Sequence, residues 1–423
     1  MRCRCDQQQT FKSKEGIRPC SLLPLAEKMK AVQLSMCFSV AVMMGLAVAD
    51  SRAPIGVFDS GVGGLTVLDK LLSVDVVNNA TDEKGADGIP DLQGEKFVQL
   101  ADQANLHYGS YAAAGSAAFL RELSIRDAFF LLSPGYYRNA AEDIPGGRKT
   151  PAKIVVVACN TATAYGPAGI ESSLRNVGSP VRVVGVVRAG SRAAVACVEE
   201  KPQAFAIGVL STPGTFSSGV YPKTIAAEAA RKGIPSPRVV ACGCANLADS
   251  IQYVKSDAED LVRQYFTQLV DDLRQTGATE KLRAVIFGCT HYPLARRHFE
   301  KVLSEIRTDP LRSPHLADEF TFVDPAVETA VECREILSSE GLLARRKGPS
   351  DVEMFVSVPS ASLSTGRIGA DGTLEDGYKY MRKPGRDVVD TKFVPLAVGL
   401  RDRGKFASLL GILPAVNAHL KGW

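Results

Sequence analysis

Residues 285–294 read VIFGCTHYPL. The run Val285, Ile286, Phe287, Gly288 has the composition of a strand buried on both faces of a parallel sheet. Pro293 cannot extend a hydrogen-bonded ladder, so Cys289, Thr290 and His291 fall in the loop just past the strand. Ligands of open α/β sheets bind there, outside the carboxyl ends of the strands. A thiol two residues from an imidazole in such a loop suits acid/base or nucleophilic chemistry. The stretch predicts an α/β fold of mainly parallel sheets flanked by helices, with a site at the strand ends.

Residues 153–164 repeat the design as KIVVVACNTATA. An apolar run again leads to a cysteine, Cys159, followed by Asn160, Thr161 and Thr163. One such cysteine is commonly a small packing residue. Two with matched flanks define a constellation. The echo is wider still: IGVFDSG from Ile55 resembles IGVLSTPGT from Ile207, and each precedes one strand-to-cysteine stretch. Two similar α/β halves, each offering one cysteine to a shared cleft, account for this. The expected division is residues 54–180 with 303–423 in the first domain and 181–302 in the second. The polar, turn-rich stretch 77–95 reads as an insertion, and 357–390 as a second insertion or flexible arm.

At 423 residues the chain has room for two or three domains. With 45% apolar and 23% charged residues it is globular, and a net charge of +4 is too small to point to nucleic acid. No cluster of Lys and Arg interleaved with aromatics supplies such a patch. Cys242-Gly243-Cys244 lacks the matching Cys/His pair that zinc needs, so no metal is expected.

The glycines of residues 55–65 (IGVFDSGVGGL) follow neither a dinucleotide nor a P-loop spacing. They let backbone N–H groups approach a small anion such as a carboxylate near a helix start.

The N-terminus reads separately. After Met29-Lys30, residues 31–49 carry no charge and end in Ala47-Val48-Ala49 before Asp50. A positive start, an apolar middle and a small-x-small end make a secretory leader over 1–53. An uncleaved anchor competes, since 19 apolar residues just span a bilayer. Cleavage removes Cys3, Cys5, Cys20 and Cys37 and leaves Cys159, Cys197, Cys242, Cys244, Cys289 and Cys333. The mature chain is then periplasmic or secreted without stable membrane contact; otherwise it is cytoplasmic. An oxidising compartment is in tension with two reduced thiols.

Two thiols across a cleft suit one chemistry. One thiolate takes a proton from a carbon and the opposite thiol returns one to the other face, inverting a stereocentre. Asp59 and His291 are placed to poise one thiol each. Here the sequence resembles the aspartate/glutamate racemase superfamily, and glutamate racemases most closely. The matching stretches are IGVFDSGVGGLTVL from Ile55, ADQANLHYGSY from Ala101, ACNTATA from Ala158, IGVLSTPGT from Ile207 and VIFGCTHYPL from Val285. The resemblance implies a cofactor-independent racemase of two pseudo-symmetric domains with its site between them, serving peptidoglycan synthesis. Cys159 and Cys289 would be the two acid/bases, assisted by Asp59 and His291. Asp59, Ser60, Tyr108, Gly109, Asn160, Thr161, Thr290 and His291 would hold a small amino acid, and a homodimer is allowed.

Two departures stand out. The family usually carries Pro before the Tyr-Gly pair, where this chain has His107, and Glu where it has Gln252. The resemblance makes glutamate, interconverted between its L and D forms, the first substrate reading, and aspartate or another amino acid outside the cytoplasm the second. A binding protein that lost catalysis is a third reading, opposed by retention of both cysteines with Asp59 and His291. If the leader works, N-terminal sequencing of the exported protein should start at or near Asp50. Intact Met1 or Met29 in the cytosol would remove the export reading.

Overall fold

The computed structural model describes residues 50–344, 348–399, 406 and 410–420. Apart from residues 50–53, the leader expected over 1–53 lies outside the described residues. Among the described residues no helix is long and apolar enough to cross a membrane.

The strands, in chain order, are β1 (Ile55–Asp59), β2 (Lys96–Ala101), β3 (Gly135–Tyr136), β4 (Gly147–Arg148), β5 (Ile154–Val157), β6 (Arg182–Gly185), β7 (Phe205–Ser211), β8 (Arg238–Gly243), β9 (Lys281–Gly288), β10 (Leu316–Val323), β11 (Asp351–Pro359) and β12 (Thr391–Pro395). One sheet has six strands in the order β12-β11-β2-β1-β5-β6, and a second has four in the order β10-β9-β7-β8. Every pairing in them is parallel except β11 with β12. Strands β3 and β4 form a separate small hairpin.

The uninterrupted apolar runs have a direct cause. In β5, Ile154 and Val156 enter one core while Val155 and Val157 enter the core on the opposite face. In β9, Val285 and Phe287 enter one core and Ala284 and Ile286 the other. Each Val, Ile or Phe so buried contributes roughly 1.5–3 kcal/mol, and burial on both faces leaves no polar face to alternate with. The helices Leu65–Ser73 and Pro325–Ser339 cover one face of the first sheet, and Ala117–Leu132 covers the other. On the second sheet, Val186–Val198 and Val220–Arg231 cover one face and Ala258–Gln275 and Arg296–Thr308 the other.

The domain boundaries differ from those expected at 181 and 302. Strand β6 pairs with β5, so it belongs to the first sheet. Strand β10 pairs with β9, so it belongs to the second. The second unit therefore runs from about 186 to 323. An apolar strand looks the same whichever sheet it joins, so composition could not show this.

The stretch 357–390 is also not one arm. Residues 357–359 end β11, which lies between β2 and β12, and 360–390 fold back onto the first domain. Residues 112–132 carry helical periodicity in the sequence, but the helix breaks at Gly115 (φ +74°), a left-handed position that glycine adopts without strain. Helices Tyr108–Ala113 and Ala117–Leu132 flank it.

Candidate active site

Strands β1 and β5 of the first sheet and β7 and β9 of the second end at one seam between the domains. Asp59 closes β1, and Cys159 follows β5 as the N-cap of the helix Asn160–Tyr165. Its Sγ accepts from the Ala162 N–H at 3.4 Å, and the thiol donates to Ser60 Oγ at 3.7 Å. Ser60 Oγ in turn donates to Asp59 Oδ1 at 3.3 Å, and Ser60 N donates to the same oxygen at 2.7 Å. Thr290 Oγ1 reaches across the seam to Asp59 Oδ2 at 3.2 Å.

Burial raises the Asp59 carboxyl above its usual range, opposed by these hydrogen bonds. Burial also drives the Cys159 thiol well up, and the Asp59 charge raises it further. A basic carboxylate beside a thiol that resists ionisation is an arrangement for passing a proton, since neither holds charge cheaply.

Cys289 and His291 follow β9 and are both buried. Cys289 Sγ lies 3.6 Å from His291 Nδ1, and His291 Nε2 lies 2.8 Å from Gln252 Oε1. Gln252 presents its amide oxygen to the ring, and an amide oxygen only accepts. The hydrogen sits on Nε2, and the Nδ1 lone pair faces the thiol. Burial lowers the imidazole to about 3, with His107 acting in the same direction, and pushes the Cys289 thiol up to about 12. The resting pair is a neutral base and a thiol.

The seam is closed. A Cβ on Gly63 would lie 2.5 Å from His291 Cε1, and one on Gly214 would lie 2.5 Å from the Gly109 carbonyl oxygen. Thr161 Oγ1 bonds Thr212 and Thr215 across the seam at 3.2 and 3.0 Å, and the Tyr221 hydroxyl bonds Asn160 Oδ1 at 2.5 Å. A cavity of about 10 Å³ beside Cys289, lined by Thr66, Asn160, Thr290 and Asp324 among others, has room for no more than one water. This cavity is too small for an amino acid.

The Asp/Glu/Hydantoin racemase family model matches residues 136–314. A glutamate racemase of Symbiobacterium thermophilum is 30% identical over 308 residues, covering 73% of this chain and 87% of the relative. The chain belongs to the Asp/Glu/hydantoin racemase family. A glutamate racemase of Levilactobacillus brevis is 28% identical over 315 residues, covering 74% of this chain and 88% of the relative. The crystal structure of the glutamate racemase isoform RacE1 from Bacillus anthracis is 25% identical, covers 72% of this chain and 89% of its own, and aligns with a TM-score of 0.48.

Of the residues the sequence nominated, this racemase brings Asp59, Ser60, Gly109, Asn160, Thr161, Thr290 and His291 to the seam with both thiols. Tyr108 does not reach it with its side chain. Its ring is in the core of the first domain, and its hydroxyl lies 2.5 Å from Asp102 Oδ2 and 2.6 Å from Asp127 Oδ2. Only its backbone borders the seam through Gly109. The sequence reading missed Thr212, Thr215 and Tyr221. The echo between IGVFDSG and IGVLSTPGT held the signal for the first two, because it sets Thr212 near the position of Ser60.

The Tyr108 cluster fixes a proton. Two short O···O contacts need two hydrogens, and the phenol supplies one. Asp102 already accepts from Asn105 Nδ2 at 2.7 and 2.9 Å, so the second hydrogen is on Asp127. Burial and the Asp102 charge both drive the Asp127 carboxyl well up. The folded chain holds a proton that the unfolded chain releases above about pH 4, so this site's contribution to stability is full below that pH and declines as pH rises. Asp127→Asn keeps a donor to Tyr108 and removes the titration. Its melting temperature should exceed that of the parent at pH 8, with the advantage shrinking toward pH 4. A variant less stable than the parent at both values would contradict the assignment.

Proposed function

We propose that this racemase interconverts L- and D-glutamate by proton exchange at Cα between Cys159 and Cys289. The observation that carries the reading is the pair of buried thiols at facing strand ends of two separate sheets, each with its own proton acceptor. Cys159 passes its proton through Ser60 toward Asp59; Cys289 passes its proton to His291 Nδ1. The thiolate so formed removes the Cα proton from one face, and the opposite thiol donates to the other. The neutral donors at the seam, Ser60, Asn160, Thr161 and Thr290, suit carboxylate recognition without a competing full charge.

Glutamate is taken from the two glutamate racemases that share about three tenths of their aligned residues with this chain. By family likeness the D-enantiomer would feed peptidoglycan assembly. The leader reading would place the enzyme outside the cytoplasm, where wall-precursor synthesis does not ordinarily occur.

Purified protein starting at Asp50 should racemise L-glutamate faster than other members of an amino-acid panel. Cys159→Ser and Cys289→Ser should each lose racemisation by at least ~10²–10⁴-fold, because a serine hydroxyl is a far weaker acid/base. Each should still eliminate chloride from one enantiomer of β-chloroalanine, and the two variants should prefer opposite enantiomers. Near-parental racemisation by either variant would refute the two-thiol reading.

A further inference from the structure

Residues 360–390, between β11 and β12, pack against the loop that carries His107, Tyr108 and Gly109. Leu374 N donates to the Ala104 carbonyl at 3.0 Å, and Ser116 Oγ donates to the Tyr380 carbonyl at 2.6 Å. Arg382 donates to Asn105 Oδ1 and, at 3.1 Å, to the Tyr111 hydroxyl. The Tyr380 ring meets Tyr111 edge-on at 4.9 Å, and its hydroxyl accepts from His107 N at 3.3 Å. The His107 backbone is thereby fixed from behind.

His107 points the other way with its side chain. Nε2 lies 2.8 Å from Asp249 Oδ1 in the second domain, with both side chains about one-third exposed (33% and 34%). Asp249 also accepts from Lys255 Nζ at 2.9 Å. It belongs to the short helix Leu247–Gln252, whose last residue is the one that bonds His291. A single line of contacts thus runs from Tyr380 through His107, Asp249 and Gln252 to His291 and Cys289. The partners of Cys159, Asp59 and Ser60, stand at the end of β1 and are not on that line.

We propose that His107 and Asp249 are positioning residues for the Cys289 half of the reaction, holding the helix Leu247–Gln252 so that Gln252 keeps the His291 Nδ1 lone pair on the thiol. The proposal rests on the racemase reading. It predicts a one-sided effect, which a general loosening of the fold or of domain closure would not produce.

The test uses β-chloroalanine elimination in the two single-thiol backgrounds. A thiolate takes the Cα proton, chloride leaves Cβ, and water hydrolyses the resulting enamine to pyruvate and ammonia. The Cys159→Ser background reports the Cys289 face, and the Cys289→Ser background reports the Cys159 face. Adding His107→Ala or Asp249→Ala should slow pyruvate release about tenfold in the first background, a size common for indirect coupling, and less than about twofold in the second. The two substitutions together should cost no more than either alone. Asp249→Asn keeps an acceptor oxygen and should retain most of the rate, which separates lost positioning from lost folding. Equal losses in both backgrounds, or no loss in the first, would overturn the proposal. If the single-thiol backgrounds showed no enantiomer preference, the racemase reading itself would fail instead.

Discussion

Everything at the seam follows from the cost of forming a thiolate away from water. Burial raises Cys159 and Cys289 far above the range in which a free thiol ionises at neutral pH. Neither can wait as an anion. Each must hand its proton to a base held beside it. Asp59 meets that condition because burial makes its carboxyl more basic. His291 meets it because Gln252 fixes the tautomer that presents Nδ1 to sulfur. The same requirement explains the close packing of the domains: a glycine at 63 lets the first domain lie against His291, where any side chain would force the seam open.

The two halves solve one problem with different parts. On the Cys159 side the acceptor is an acid reached through a serine hydroxyl, all within strand ends of a single sheet. On the Cys289 side it is an imidazole whose support comes from the helix Leu247–Gln252, and that helix leans on His107 of the other domain. Departures from the family pattern at 107 and 252 therefore belong to one feature. A glutamine can hold the ring without giving it charge, and a histidine at 107 can reach the helix where a proline has no donor to offer.

How much of this was legible follows from what each residue's neighbours are. The strands ending in Cys159 and Cys289 could be read because burial on both faces leaves an unbroken apolar run, and the loop position follows from Pro293 or the polar residues after Cys159. The sheet to which β6 or β10 belongs depends on long-range pairing, which leaves no local trace. Strand β11 was hidden by Glu353 and Ser357. A tyrosine in a polar motif reads as a ligand with its side chain, whereas Asp102, six residues before Tyr108, and Asp127, nineteen after it, turn the hydroxyl inward. Residues 360–390 were read as an arm because their polar composition conceals the few side chains, Tyr380 and Arg382 among them, that anchor the segment.

The central claim is that each face of Cα is served by a different thiol, and hydrogen exchange reads it directly. A single glutamate enantiomer is incubated with the enzyme in deuterium oxide, and both enantiomers are separated at low conversion and weighed. With two opposed thiols, the abstracting one holds the substrate's own proton while the other delivers a deuteron from solvent. The product should carry deuterium at Cα from the first turnovers, and the remaining substrate should carry almost none. Protium retained in the product, or deuterium appearing equally in substrate and product, would mean that one group serves both faces and would contradict the account.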